Sequence, residues 1–466
     1  MEVNSQMLAK KLETRHINMI ALGGSIGTGI FLASGIAIAT AGPGGAILSY
    51  LLISIMVFFL MTSLGELSTY KPTTGSFNEY SELYVDKSFG YAMGINYWFN
   101  WALTIASEIS AAVILIKFWF PNASDLMVSG GLLALIAVFN VFSVKLYGEV
   151  EYILSFVKVA TIIVFIILGI LIISGTPGHG IPNLHIGDAP FHKGLDGFLG
   201  VFLATGFAFQ GCEIVGITAG EARDPQKSIP SAIKKVFWRL ALFYILAMVI
   251  IALLVPYNSP SLMVQNDVKA SPFTLVFSHY FHSGYAANIL NFVILTAVVS
   301  AANASVYTSS RTLWYMAHRG QVPRIFEKIT KSGIPISALI ASLAFGAIVL
   351  VTSFVKSGEL FNFLVNVSSS TGFITWFGIS ISHYLFRKRI LKGDTSKLIY
   401  KALWFPFGPI FSMVLVAIIT LGQFYTFNGD YSLTNISAAY GALFLFFLAF
   451  LYHKLWRSKK YPHGIK

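Results

Sequence analysis

Runs of about 20 apolar residues, long enough to cross the hydrocarbon core of a bilayer as a helix, recur twelve times along this 466-residue chain. They lie near residues 17–40, 44–67, 89–119, 126–143, 152–174, 195–219, 238–256, 275–308, 336–355, 360–384, 403–425 and 434–455. The longest polar insertions between them are at 175–194, 309–335 and 385–402, and none has the size of a soluble domain. Hydrophobic residues make up 55% of the chain and charged ones 11%, where a soluble protein carries about a quarter charged. The pattern predicts an all-α polytopic membrane protein with 12 transmembrane helices. Spans 3 and 8 exceed the length of a straight crossing, which predicts tilt or extension beyond the bilayer.

A net charge of +12 would suit a polyanionic partner, but its distribution argues for a different reading. With the N-terminus placed in the cytoplasm, 27 Lys and Arg fall on the cytoplasmic side. Three fall on the other (Lys193, Lys269, Lys356), and two (Lys117, Lys158) lie inside spans. Such asymmetry follows the positive-inside rule and predicts both termini in the cytoplasm. The partner implied by the basicity is a lipid bilayer, not nucleic acid. One cysteine, Cys212, excludes an internal disulfide and a thiolate metal cluster. The polar start, Met1 to Arg15, runs directly into the first span, so no cleavable signal peptide is expected. No phosphate-binding G-x-x-x-x-G-K-[ST] loop occurs, which excludes an ATP-driven machine of the P-loop kind. No zinc-ligand pair or aspartate dyad marks an intramembrane enzyme; the expectation is a protein that is not an enzyme and needs no cofactor.

Two spans are interrupted. "GGSIGTGIF" (Gly23–Phe31) crowds four glycines into the first span, and "FAFQGCEIVG" (Phe207–Gly216) places Gln210, Gly211 and Glu213 inside the sixth. Each glycine costs about 1 kcal/mol of helix propensity relative to alanine. An isolated pair would be read as a helix-packing face. Four within seven residues, with Ser25 and Thr28 between them, instead predict a stretch that unwinds where protein covers it and offers bare peptide groups to a ligand. The positive end of the half-helix then favours a carboxylate. Interruptions at corresponding places in two halves point to the binding site of a secondary transporter.

At these residues the chain resembles the bacterial amino acid permeases of the amino acid–polyamine–organocation (APC) superfamily. "RHINMIALGGSIGTGIF", "AGPGGAILSY", "MTSLGELSTYKPTTGSF", "NYWFNWA", "FAFQGCEIVGITAGEARDPQKSIP" and "SPFTLVF" follow that family's pattern in order over essentially the whole chain. Within it, "NDVKASPFTLVFSH", "ISHYLFRKR" and "FPFGPIF…IITLGQFY" are most similar to the lysine-specific permeases.

The resemblance implies a five-plus-five inverted repeat with broken helices 1 and 6, plus two extra helices. Repeat one would span about 17–174, repeat two 195–384 and helices 11–12 403–455. Together they make one membrane domain (17–455) between a cytoplasmic N-terminal segment (1–16) and a cytoplasmic tail (456–466). It implies import of a cationic amino acid, lysine above all, across the bacterial cytoplasmic membrane by proton symport and alternating access. The proton would be the coupling ion and no cofactor would take part. Alternatives are a histidine or broader-range permease, an exchanger, or a receptor using the same fold. The resemblance assigns no protein partner.

Carried over residue by residue, Ser25, Ile26, Gly27, Thr28 and Gly29 would receive the substrate carboxylate. Carbonyls around Phe207, Ala208 and Phe209 would receive its ammonium, with Cys212 and Glu213 as neighbouring contacts. Lys158 would bridge span 5 to Gly23 and Gly24 and carry the coupling proton; the plainer alternative is a lysine snorkelling to the interface. Charges at membrane depth are functional by default. Glu213 is either a proton-carrying or ammonium-binding group or a prop bonded to backbone N–H groups. Glu108 in span 3 is either the selectivity carboxylate for a lysine ε-ammonium or a glutamate bonded to adjacent helices. Glu221 and Arg223 form a gate salt bridge or a solvated loop, with Glu221 also a proton-coupling candidate. Glu66 is expected to cap the helix or pair locally. Ser300 and Asn303 are site candidates through their neighbourhood to Lys158.

Overall fold

The computed structural model describes residues 13–19, 26–142, 144–175, 182–264, 267–268, 270–281, 284–330, 332–427 and 431–457. Its regular structure is helical apart from a two-residue antiparallel pair, Met263–Val264 with Asp267–Val268. In chain order the helices are α1 (Thr14–Met19), α2 (Ser34–Tyr70), α3 (Ser76–Tyr84), α4 (Lys87–Lys117), α5 (Asp125–Phe142), α6 (Val144–Gly175), α7 (Gly194–Phe209) and α8 (Ile214–Thr218). After them come α9 (Pro225–Trp238), α10 (Ala247–Leu254), α11 (Pro272–Phe281), α12 (Gly284–His318), α13 (Ile336–Gly346), α14 (Ser357–Leu385), α15 (Phe407–Gly422) and α16 (Leu433–Tyr452). Seven helices among the described residues are long and apolar enough to cross a membrane, and three shorter apolar ones accompany them. The architecture is that of a polytopic membrane protein.

Expected spans 1 and 2 meet with almost no loop. They run together from Gly29 to Tyr70 and are divided at Gly42, whose φ of 72° turns the chain before Pro43. That left-handed backbone favours glycine, and Gly42 also lies against Pro190 and His192. The 188–193 loop closes over the turn: Gly44 N donates to Pro190 O (2.8 Å) and His192 N to Ala41 O (3.0 Å). Asp188 anchors this loop by accepting from Tyr257 Oη (2.7 Å), His192 Nδ1 (2.7 Å) and Lys193 N (3.0 Å), and the Lys193 N–H first, then Tyr257 and His192, hold its carboxyl well below the usual range.

Some boundaries differ from the sequence expectation. The run at 275–308 is covered by α11 and the 35-residue α12, with residues 282–283 between them outside the described residues, and the span at 238–256 continues an amphipathic helix that starts at Pro225. Two cations counted among the loops, Arg239 and Arg311, are buried inside helices, at 0% and 3% exposure. Arg239 lies in the π-helical stretch Arg239–Leu246, and Arg311 packs over the Tyr307 ring at 3.8 Å.

The innermost contact brings the first span onto the sixth. Gly29 opens a π-helical turn, Gly29–Ala33, that packs on α7, and a Cβ at Gly29 would penetrate the Ala208 backbone. At Gly27 a Cβ would lie 2.7 Å from Ala301 Cβ and 3.1 Å from Glu108 Oε1. The glycines therefore serve close approach as well as unwinding.

Glu66 corrects the expectation of a local pair. It is fully buried and accepts from Arg387 Nε and Nη2 (both 2.6 Å), His383 Nε2 (3.0 Å) and Ala402 N (2.7 Å). One carboxylate thus joins α2, the end of α14 and the chain leading to α15. At the same end of the bundle, Glu79 of α3 accepts from Lys71 Nζ (2.8 Å), Thr73 Oγ1 (2.5 Å) and Tyr315 Oη (2.6 Å). Burial would raise the Glu79 carboxyl, but these donors hold it below its ordinary value.

Breaking a buried pair by removing one partner costs about 3–5 kcal/mol, because the other charge is stranded. Glu66→Gln is expected to lower the unfolding midpoint of the detergent-solubilised protein clearly, and an unchanged midpoint would contradict this account of the joint. Gly29→Ala should also destabilise, by about 1–3 kcal/mol of overpacking. Gly130→Ala in α5, where a Cβ meets nothing within 4 Å, should not lower the midpoint in the same assay.

Candidate functional site

Both interrupted spans depart from helix where the sequence indicates. Ile26 and Gly27 are non-helical and buried, and helix resumes at Thr28. In the sixth span α7 stops at Phe209, Gln210 adopts φ −59°, ψ 153°, Gly211 takes φ 89°, and α8 starts at Ile214. Between the two breaks lies a cavity of about 20 Å³, room for about one water molecule. Gly29, Phe207 and Gln210 line it from the broken spans, Trp101, Thr104 and Glu108 from α4, and Ala301 and Ser305 from α12.

Glu108 is the charged group of this cavity. Its Oε1 accepts from Thr28 Oγ1 (2.9 Å) and its Oε2 from Thr28 N (3.4 Å), and it is 4% exposed. The Thr28 donors, which the resemblance assigns to a substrate carboxylate, here hold a carboxylate of the protein itself. Asn100 of α4 and Gln210 converge on α14. Ser368 Oγ and Thr371 Oγ1 donate to Asn100 Oδ1 (2.6 and 2.7 Å), and Gln210 Nε2 donates to Ser368 O (2.6 Å). Gln210 therefore fixes the break in the sixth span to a neighbouring helix.

Around that break the predicted residues take distinct places. Phe207 faces the cavity, whereas Phe209 packs edge-on to Tyr50 (5.5 Å between ring centroids) and against Tyr244 (4.5 Å). The Phe207 carbonyl accepts from Gln210 N (3.2 Å), the Phe209 carbonyl accepts from the Cys212 thiol (2.9 Å), and the Ala208 backbone abuts Gly29. Glu213 accepts from Gly211 N (3.2 Å to each oxygen) and from Trp376 Nε1 (3.4 Å). That is the geometry of a prop beneath the left-handed Gly211. Cys212 is buried, with its sulfur against the Arg239 guanidinium.

Lys158 does not reach an interface; it is 1% exposed inside α6. Its Nζ donates to Glu151 Oε1 (3.4 Å), and Glu151 is equally buried. Ser300 Oγ of α12 donates to Glu151 Oε2 (2.6 Å), while Asn303 bonds to Asn140 (2.6 Å). Ser25, Gly23 and Gly24 lie outside the described residues, as does the Glu221 side chain, which ends the short helical turn Ala219–Glu221. Arg223, expected near Glu221, stands 3.6 Å from Glu13, and both side chains are exposed.

Sequence reasoning missed Glu151, Arg239, Trp101 and Thr104. Trp101 and Thr104 share the α4 face of Glu108, seven and four residues before it, so helical spacing could have found them. Glu151 is seven residues before Lys158, again one face of one helix. Arg239 sits at the edge of an apolar run, where a cation reads as an ordinary loop charge.

The amino acid permease family profile matches residues 16–466. The lysine-specific permease LysP of Escherichia coli (strain K12) is 47% identical over 461 residues, covering 96% of this chain and 94% of that protein. LysP of Lactococcus lactis subsp. cremoris (strain MG1363) is 46% identical, covering 97% of this chain and 91% of its own. The histidine permease HisP of the same Lactococcus strain is 45% identical, with coverages of 90% and 89%. A profile match across nearly the whole chain, a polytopic helical fold and full-length relatives at this identity make this chain a member of the amino acid permease family.

Proposed function

We propose that this protein imports lysine by proton symport through alternating access. The observation that carries the reading is Glu108: a buried carboxylate bonded to Thr28, beside a cavity where the two broken spans meet. The two lysine-specific relatives support the substrate. Histidine is the second reading, favoured by the 45% identity to a histidine permease.

The cavity is far smaller than an amino acid, so seating one requires the walls to part, as alternating access provides. Release of Thr28 by Glu108 then serves both ends of a lysine. The freed Thr28 N–H and hydroxyl, with Gly27 and Gly29 backbone, receive the α-carboxylate at the start of a helical segment. The freed Glu108 carboxylate meets the ε-ammonium and offsets its desolvation. Carbonyls at the break after Phe209 receive the α-ammonium, and Glu213 keeps that break open. Lys158, buried inside α6 beside Glu151, carries the coupling proton in this reading.

The membrane arrangement in this reading is a five-plus-five inverted repeat, about 17–174 and 195–384, followed by two helices at 403–455. Dividing the Gly29–Tyr70 helix at Gly42 and adding the three shorter apolar helices and α14 to the long ones supports twelve crossings. The side rich in Lys and Arg faces the cytoplasm and holds both termini, so the membrane potential drives a cationic substrate inward.

Competition of labelled lysine uptake by all twenty amino acids, in wild type and in Glu108→Gln, tests the assignment. Lysine should compete best in wild type. Glu108→Gln should weaken lysine by about a hundredfold, the equivalent of about 3 kcal/mol for stranding its ammonium, and uncharged amino acids far less. Histidine competing better than lysine in wild type selects the second reading, and unaltered selectivity in Glu108→Gln removes Glu108 from substrate recognition. Uptake into empty proteoliposomes should follow an imposed acid-outside pH step; uptake indifferent to that step rules out symport.

A further inference from the structure

Glu151 is a buried carboxylate that neither substrate recognition nor the break in the sixth span uses. It is 1% exposed, and among the described residues it meets Lys158 (Nζ to Oε1, 3.4 Å), Ser155 Oγ (3.4 Å to Oε1) and Ser300 Oγ (2.6 Å to Oε2). Two turns of α6 separate it from Lys158, on the side toward the start of the helix. There the next carboxylate, Glu149, is partly exposed and accepts from Arg15 of α1 (2.7 Å). Glu151 therefore stands between the buried ammonium and the exposed end of the bundle.

We infer that Glu151 is the proton acceptor of Lys158, the group through which the coupling proton leaves Lys158 toward the Arg15–Glu149 end; the inference rests on the symport reading above. In the step, one Nζ–H bond breaks and its electron pair stays on nitrogen. The proton joins Glu151 Oε1. An ammonium–carboxylate pair becomes an amine–carboxylic acid pair, with no change in net charge. In a low-dielectric interior each isolated ion is costly, and so is an ion pair whose geometry is loose. At 3.4 Å the Lys158–Glu151 contact is loose, so the neutral pair is an accessible alternative. Ser300 donates to the other oxygen, Oε2, and Oε1 faces Lys158.

The other ionisable groups on elements packed against α6 are already engaged elsewhere. Arg15 of α1 holds Glu149, and Arg239 with Tyr244, beside α10, faces Cys212 and the sixth-span break. On α12, Arg311 lies over Tyr307 and His318 bonds to Glu327; on α5, Asp125 bonds to Lys117 and Ser357.

The test uses the full chain in proteoliposomes and reads two processes with labelled lysine, with histidine in a parallel arm. Net uptake into empty vesicles under an acid-outside pH step requires the carrier to release its proton and return empty. Exchange between substrate-loaded vesicles and medium at equal pH does not. Glu151→Gln should lower net uptake by about a hundredfold, the scale of losing one proton-transfer group, while exchange persists. Ser300→Ala removes a donor to the carboxylate, makes it more basic, and should move the pH midpoint of net uptake upward. Equal loss of both processes in folded Glu151→Gln protein, or unchanged net uptake, overturns the relay. Should Glu151→Gln fail to fold, the Ser300→Ala midpoint decides, and an unmoved midpoint overturns it. Wild type that exchanges substrate yet ignores the pH step overturns the symport reading, and the relay with it.

Discussion

The constraint on which the rest depends is that backbone polar groups inside a bilayer must be satisfied by protein. Two helices that stop midway violate it unless each break is buried against something that supplies partners. Here the partners are supplied mutually. Thr28, at the restart of the first span, bonds to Glu108 of α4, and Gly211, at the turn of the sixth, bonds to Glu213 within its own break. Gly29 lets the two broken segments touch backbone to backbone. The small cavity between them lies where these non-helical segments meet α4 and α12.

Much of this was readable from residue types. Glycine crowding at Gly23–Gly29 and the polar insert Gln210–Glu213 marked the breaks, because both features are costly in a lipid-facing helix and therefore need a reason. Glu108 and Lys158 stood out as charges in apolar runs. What was not readable are the partners, since contacts across hundreds of residues leave no local signal. Glu66 looked like the end of a helix and proved to be tied to His383, Arg387 and Ala402. Arg239 looked like a loop cation and proved fully buried.

The buried charges form a graded series. Glu108 borders the cavity, Lys158 and Glu151 sit deeper along α6, and Glu149 with Arg15 reaches solvent. Glu108 and Glu151 accept from hydroxyls of Thr28 and Ser300, bonds that a rotamer change can exchange. Glu66, with two bonds from Arg387, is held much more firmly. The contrast separates groups placed to change partner from groups placed to keep one.

The Glu66 joint has a mechanical consequence. Where one carboxylate pins the end of α2 to the end of α14, those two ends cannot slide past each other without stranding an ion in apolar surroundings. Displacement of either end therefore carries the other with it. Each helix is free to shift only where it lies away from the joint, as α2 does at the turn at Gly42 under its covering loop. The rivet makes the ends of α2 and α14 a single unit.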